Sequence, residues 1–143
     1  MTGLWALLGA LVAVGVIGLL LRAREGRIKA AKDDHRSRLP APVRELLDPA
    51  AEVTLVQLSS TFCAPCRQAR ALLVDLAGRT DGLHHVELDV TNLPEVARDL
   101  RVLRTPTTIA LDSSGVELLR VGGVPKRDTL MAALRPHLPA TNG

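Results

Sequence analysis

Tyrosine is absent from the 143-residue chain, phenylalanine and tryptophan occur once each, and cysteine occurs twice. So sparse an aromatic complement leaves no platform on which nucleic-acid bases would stack. Two cysteines supply at most half of a tetrahedral zinc site. Both fall in one short stretch, Ser60-Thr61-Phe62-Cys63-Ala64-Pro65-Cys66-Arg67-Gln68.

Charge is missing from one end. The first 21 residues, MTGLWALLGALVAVGVIGLLL, carry no charged side chain. As a helix they would reach about 32 Å, close to the roughly 30 Å of hydrocarbon in a bilayer. No polar face interrupts the run, which argues against a half-buried surface helix. A cleaved leader would show a basic start and a small-x-small site after the apolar stretch. Met1-Thr2-Gly3 has no basic side chain and Leu21-Arg22-Ala23-Arg24 follows the run, so the helix is expected to persist as a membrane anchor. Gly9 and Ala13, with Ala6 and Ala10, have the spacing of helix-pairing motifs, although such residues are commonly just tolerated in spanning helices.

The positive charge is local. Arg22, Arg24, Arg27, Lys29, Lys32, Arg36 and Arg38 face only Glu25, Asp33 and Asp34, while residues 39–143 are close to neutral. A basic collar beside an apolar helix suits anionic lipid headgroups and gives no reason to expect nucleic acid as a partner. Basic residues next to a span tend to stay cytoplasmic, which places the soluble part on that side, with an extracytoplasmic domain as the alternative.

Leu39-Pro40-Ala41-Pro42 marks a boundary, and about 100 residues remain, enough for one small core. The expected organisation is an anchor over 1–21, a basic linker over 22–42 and a folded domain over 43–143. Val43–Leu47 could form a short helix. Val53-Thr54-Leu55-Val56-Gln57-Leu58 reads as a buried strand. Ala69, Leu72, Leu73 and Leu76 share one face of a helix over Ala64–Ala77, stopped by Gly78. A strand over Leu83–Val90 follows, then a helix through Val96, Ala97 and Leu100 with Asn92 as its cap and Pro94 in its first turn. Residues 107–111 and 116–121 flank Asp112-Ser113-Ser114-Gly115 as a hairpin. Leu130, Met131 and Leu134 stripe a last helix over Arg127–Arg135, which Pro136 ends or kinks. The order is βαβα followed by ββα, an α/β sheet with a parallel first half and an antiparallel second half.

In that order Cys63 stands at the mouth of a helix, where unpaired N–H groups and the helix dipole favour a thiolate. Cys66 lies one turn on, and Pro65 fits where a helix does not need its N–H. A metal site would need further ligands, and His84 and His85 would point to opposite faces of a strand. A structural staple closing so short a ring would remove little unfolded-chain entropy. Thiol–disulfide exchange, one sulfur attacking and the other resolving, suits the spacing better.

Phe62-Cys63-Ala64-Pro65-Cys66 resembles the W-C-G-P-C of the thioredoxin superfamily. Arg104-Thr105-Pro106-Thr107 stands where that family has its cis-proline turn, Gly115 matches the turn of its last hairpin, and Val121-Gly122-Gly123 resembles its V-G-A segment. The likeness covers roughly Val53–Leu138. It implies a thioredoxin fold, here preceded by one transmembrane helix, and a protein-disulfide oxidoreductase acting in the reducing direction without cofactor or metal. Its partners would be protein thiols and disulfides and an electron donor. Cys63 would be the exposed nucleophile and Cys66 the buried resolving thiol. Phe62, Thr105 and a cis Pro106 would contact an extended substrate. The chain departs from the family at Gln57, where a buried acid is usual. Since Gln cannot take a proton, deprotonation of Cys66 would need water or another base. Arg67, beside the pair, reads as a solvated side chain. A thioredoxin-like docking module at the membrane without chemistry, or an extracytoplasmic thiol relay, are the competing functions.

Overall fold

A computed structural model of the chain describes residues 1–24, 26, 28–30 and 39–140. In chain order the elements are α1 (Thr2–Arg24), β1 (Ile28–Ala30), α2 (Ala41–Arg44), β2 (Val53–Ser59) and α3 (Ala64–Gly78). They continue with β3 (Leu83–Asp89), α4 (Pro94–Asp99), β4 (Thr107–Asp112), β5 (Glu117–Gly122) and α5 (Arg127–Leu134), which tightens into a 3-10 turn over Arg135–His137.

The run of β-branched and apolar residues at 53–58 forms the strand at the heart of the sheet, and every residue of β2 is buried. The strand order is β1-β5-β4-β2-β3. β3 lies parallel to β2, with Val53 opposite Leu83 and Gln57 opposite Glu87. β4 lies antiparallel to β2, and β5 to β4, as the hairpin signal around Gly115 required. Gly115 takes a φ of 84°, and its N–H closes the turn on the Asp112 carbonyl.

Alternation along the strands sorts side chains to two faces. Val53, Leu55, Ala110, Leu119 and Val121 meet Leu73 and Leu76 of α3 and Leu130 and Leu134 of α5. Val56, Leu58, Ile109 and Leu111 meet Val43 of α2 and Val96 and Leu100 around α4 on the other side. The protein is therefore three-layered, with the sheet between two pairs of helices. Asp75 on α3 binds Arg79 at 2.7 Å and Arg127 at 2.5 Å, joining the two helices of one face.

α1 stands apart from both cores. Within its segment Gly3–Arg24 an 18-residue window has a mean hydropathy of 2.6, and none of that window is buried. Among the described residues it is the one helix long and apolar enough to cross a membrane. It extends to Arg24, three residues beyond the expected end.

Two local expectations change. The segment read as a linker, 22–42, contains β1, which pairs antiparallel with β5 through Ile28 opposite Val121 and Ala30 opposite Leu119. Three residues are too few to show a period, and the strand exists because β5 offers a free edge. Before it, Gly26 takes a φ of 71° and donates its N–H to the Gly122 carbonyl at 3.0 Å. A Cβ there would lie 2.8 Å from the Val124 carbonyl oxygen, so the position admits only glycine. The second change concerns α4: its N-cap is Leu93, with no side-chain cap, instead of Asn92. Arg27, Lys32, Arg36 and Arg38 of the basic collar, Glu25, Asp33 and Asp34, and residues 141–143 of the expected domain lie outside the described residues.

Leu73 is completely buried whereas its neighbour Val74 is 54% exposed. Leu73→Ala should cost about 2–5 kcal/mol of stability and Val74→Ala less than about 0.5 kcal/mol, read as shifts of the urea midpoint at constant slope.

Candidate active site

The loop after β2 delivers Cys63 to the N-cap of α3. Its φ of −95° and ψ of 99° are extended, and its sulfur accepts the Cys66 N–H at 3.2 Å. Pro65 occupies the first turn, where its missing N–H leaves no gap. The two sulfurs are joined as a disulfide of 2.05 Å, with Cα atoms 5.2 Å apart. Cys66 is 2% exposed, while Cys63 is only partly covered. In the reduced protein the same N–H and the N-terminal end of the α3 dipole would face the Cys63 sulfur.

The other anticipated residues gather here. Phe62 has a φ of 60° and is fully exposed in front of Cys63. The Thr105–Pro106 peptide is cis, and the Pro106 carbonyl accepts the Gly123 N–H at 2.8 Å. Thr105 and Ser60 share a hydrogen bond of 2.8 Å between hydroxyls, which fastens the Pro106 turn to the loop that carries Cys63. A cleft of about 390 Å³ opens beside the disulfide, lined by Cys63, Cys66, Phe62, Arg67, Arg70 and Glu87 among others. Arg67 is exposed at its rim.

Gln57 is fully buried beneath the pair. Its Nε2 donates to the Cys66 carbonyl at 2.8 Å, and its oxygen lies 3.1 Å from Nε2 of His85. A carbonyl only accepts, so the amide nitrogen must face Cys66 and the oxygen must face His85. That orientation makes Nε2 the protonated nitrogen of His85. His85 is thus tied to the underside of the active-site helix, a link the sequence pattern of adjacent histidines does not reveal. The parallel register does reveal it: residues 55, 57 and 59 share a face with 85, 87 and 89. Among the described residues no three histidine, cysteine or acidic side chains converge as a metal site.

Glu87 and Asp89 are the carboxylates that line the cleft. For Glu87, the bond to Arg70 holds the pKa below the ordinary range against the opposing effect of burial. Asp89 is likewise held low, chiefly by Thr91, whose hydroxyl accepts the Thr61 N–H at 2.8 Å and braces the loop before Phe62. Burial pushes the His85 pKa down, opposed by the Glu87 charge and aided by His84 and Arg70.

The arrangement is that of a known family. The Thioredoxin family model matches residues 42–136, and the chain belongs to that family. Thioredoxin H2 of Arabidopsis thaliana is 33% identical over 79 residues, covering 55% of this chain and 58% of that protein. The chain thus spans little more than half the length of that relative. A thioredoxin of Staphylococcus saprophyticus is 32% identical over 87 residues, covering 60% of this chain and 83% of that one. Among solved structures, thioredoxin NaTrxh from Nicotiana alata shares 28% identity with a TM-score of 0.54 over 61% of this chain and 74% of its own. Reduced Schistosoma mansoni thioredoxin pre-protein, 24% identical with a TM-score of 0.58 over 68% and 91% of the two chains, shares the fold.

Gln57→Leu would leave the buried His85 N–H without its partner and strip the Cys66 carbonyl of the bond it accepts in addition to the helical one, and should destabilise by about 1–3 kcal/mol in urea denaturation. The Thr108 hydroxyl, on the strand opposite Gln57, is buried without a hydrogen-bond partner. Thr108→Val should therefore leave stability unchanged or raise it by the same measure.

A histidine whose folded pKa lies below its unfolded value of about 6.5 binds its proton more readily when unfolded. Its stabilising contribution is complete above that value and is lost as pH falls through the window beneath it. Stability measured by urea titration should decline on acidification from neutrality before the carboxylates titrate. His85→Gln should flatten that decline.

Proposed function

We propose that this protein is a membrane-tethered thiol–disulfide oxidoreductase that reduces protein disulfides through Cys63 and Cys66. The observation that carries the reading is the capped pair itself: a nucleophile-ready sulfur at the mouth of α3 with a buried partner one turn on, within a thioredoxin-family domain. In this reading residues 1–21 are the anchor and residues 43–143 the catalytic domain, with β1 added to the edge of its sheet.

The reaction balances as a two-electron exchange. The Cys63 thiolate attacks one sulfur of a substrate disulfide, forming a mixed disulfide and expelling the other sulfur as thiolate. Cys66, deprotonated, attacks the Cys63 sulfur and releases the second substrate thiol, leaving the Cys63–Cys66 bond. Two electrons have passed to the substrate, and a donor of dithiol type restores the reduced pair. Gln57 does not take the Cys66 proton; the cleft that Cys66 lines contains the anionic Glu87 and opens to water. Phe62 lines the same cleft, the Thr105–Pro106 turn is joined to it through Ser60, and together they serve as the contact surface for an extended substrate segment. The Ala64-Pro65 dipeptide and the thioredoxin relatives support the reducing direction.

The full chain, purified in detergent and reduced, should cleave disulfides of a model protein such as insulin, and Cys63→Ala should abolish this. Cys66→Ser should accumulate the mixed disulfide, visible as a covalent adduct on non-reducing gels. Failure of both would remove the enzymatic reading and leave a docking module. Equilibration with glutathione should give a midpoint more reducing than about −230 mV. The basic residues after α1 support a cytoplasmic domain. A membrane-impermeant maleimide should then label Cys63 only after permeabilisation, and labelling of intact cells would place the domain outside.

A further inference from the structure

We infer that the redox pair faces the bilayer to which α1 is anchored, and that its partner is an integral membrane protein presenting a disulfide or dithiol at the lipid surface. This rests on the proposed membrane anchor and deepens it by naming the class of partner.

The placement follows from which end of the sheet receives α1. A flexible tether of some 20 residues would let the domain sample any orientation. Here only two covalent steps, at most about 7.6 Å of chain, separate Arg24 from Gly26. Gly26 is pinned to the Gly122 carbonyl at 3.0 Å, and Ile28 already pairs with Val121. Gly122 ends β5 and stands opposite Thr107, while Gly123 donates to the Pro106 carbonyl at 2.8 Å. The Ser60–Thr105 bond of 2.8 Å then leads to the Cys63 loop. The chain therefore leaves the helix and joins the domain at the end of the sheet where the disulfide lies.

The opposite end, with the Asp112–Gly115 turn, is a strand length away, about 17–20 Å for a strand of five or six residues. Two large apolar side chains are almost wholly exposed at the near end, Phe62 at 101% and Leu103 at 97%. Basic Arg22 and Arg24 on the last turn of α1 mark the headgroup level of the anchor. A disulfide carried by a freely diffusing globular protein would have to enter between this face and the membrane. A disulfide held at the lipid surface meets the face directly, at the high effective concentration of a two-dimensional encounter.

The test uses the full chain reconstituted in phosphatidylcholine vesicles. A fluorophore is attached at Cys63 in Cys66→Ser, or at position 114 through Ser114→Cys in a background with both native cysteines replaced by serine. Spin-labelled headgroup lipid should quench the Cys63 fluorophore several-fold more than the one at 114. Equal quenching, or stronger quenching at 114, in protein that floats with the vesicles overturns the orientation while leaving the anchor intact. Protein that does not float overturns both. Strong quenching at Cys63 by quenchers deep in the acyl chains overturns the protein partner in favour of a face that inserts into lipid. A second readout uses the unlabelled reduced chain and a pyridyl disulfide carried on a lipid headgroup. A Gly/Ser insertion of about 20 residues after Arg24 should slow reduction of that headgroup disulfide several-fold and leave reduction of a soluble peptide disulfide unchanged. Equal rates before and after insertion also overturn the proposal.

Discussion

Exclusion of water from β2 is the constraint on which the rest depends. Each of its seven residues is buried, with β3 and β4 on its edges and helices over both faces. A strand so placed must satisfy every polar group within the protein. The backbone does so through its two ladders, and the one long polar side chain, Gln57, does so through the Cys66 carbonyl and His85. That amide links the sheet to the first turn of α3. The position of Cys66 beneath the surface is thus set by a hydrogen bond from the core, and the position of Cys63 by the cap it makes on the same helix.

Long or strongly patterned segments were legible in the sequence. β2 reads as a buried strand because its apolar run is short, β-branched and bounded by polar residues. α3 reads as a helix because Ala69, Leu72, Leu73 and Leu76 recur at helical spacing. The hairpin reads from Asp112-Ser113-Ser114-Gly115. Cys63 and Cys66 were legible because helix mouth and spacing converge on them. What escaped depends on pairing across the fold. β1 has no period of its own and exists through the β5 edge. The Gln57–His85 bond needs the parallel register, which no single segment carries. Asn92 is chemically suited to capping, but Asp89 organises that turn by accepting the Thr91 N–H at 2.8 Å, and the helix begins later.

A neutral amide where a buried carboxyl is usual alters the balance of the site. A carboxyl there would be costly to ionise and would titrate against the thiol. Gln57 removes that coupling and gives a permanent dipole with both ends occupied. The charges of the site move outward, to Glu87 with Arg70 in the cleft and Asp89 with Thr91 below the loop. The amide holds the helix, and the ionised side chains of the site lie nearer solvent.

The unequal burial of the two sulfurs has a protective side. A peroxide approaching the reduced protein meets Cys63 first, because Cys66 is 2% exposed. The sulfenic acid it would form sits within bonding reach of the second sulfur, across Cα atoms 5.2 Å apart. Condensation with that neighbour expels water and returns the ordinary disulfide before a second oxygen can add. The geometry that would complete the proposed exchange would also shield the nucleophile from irreversible oxidation, returning it to the ordinary disulfide state.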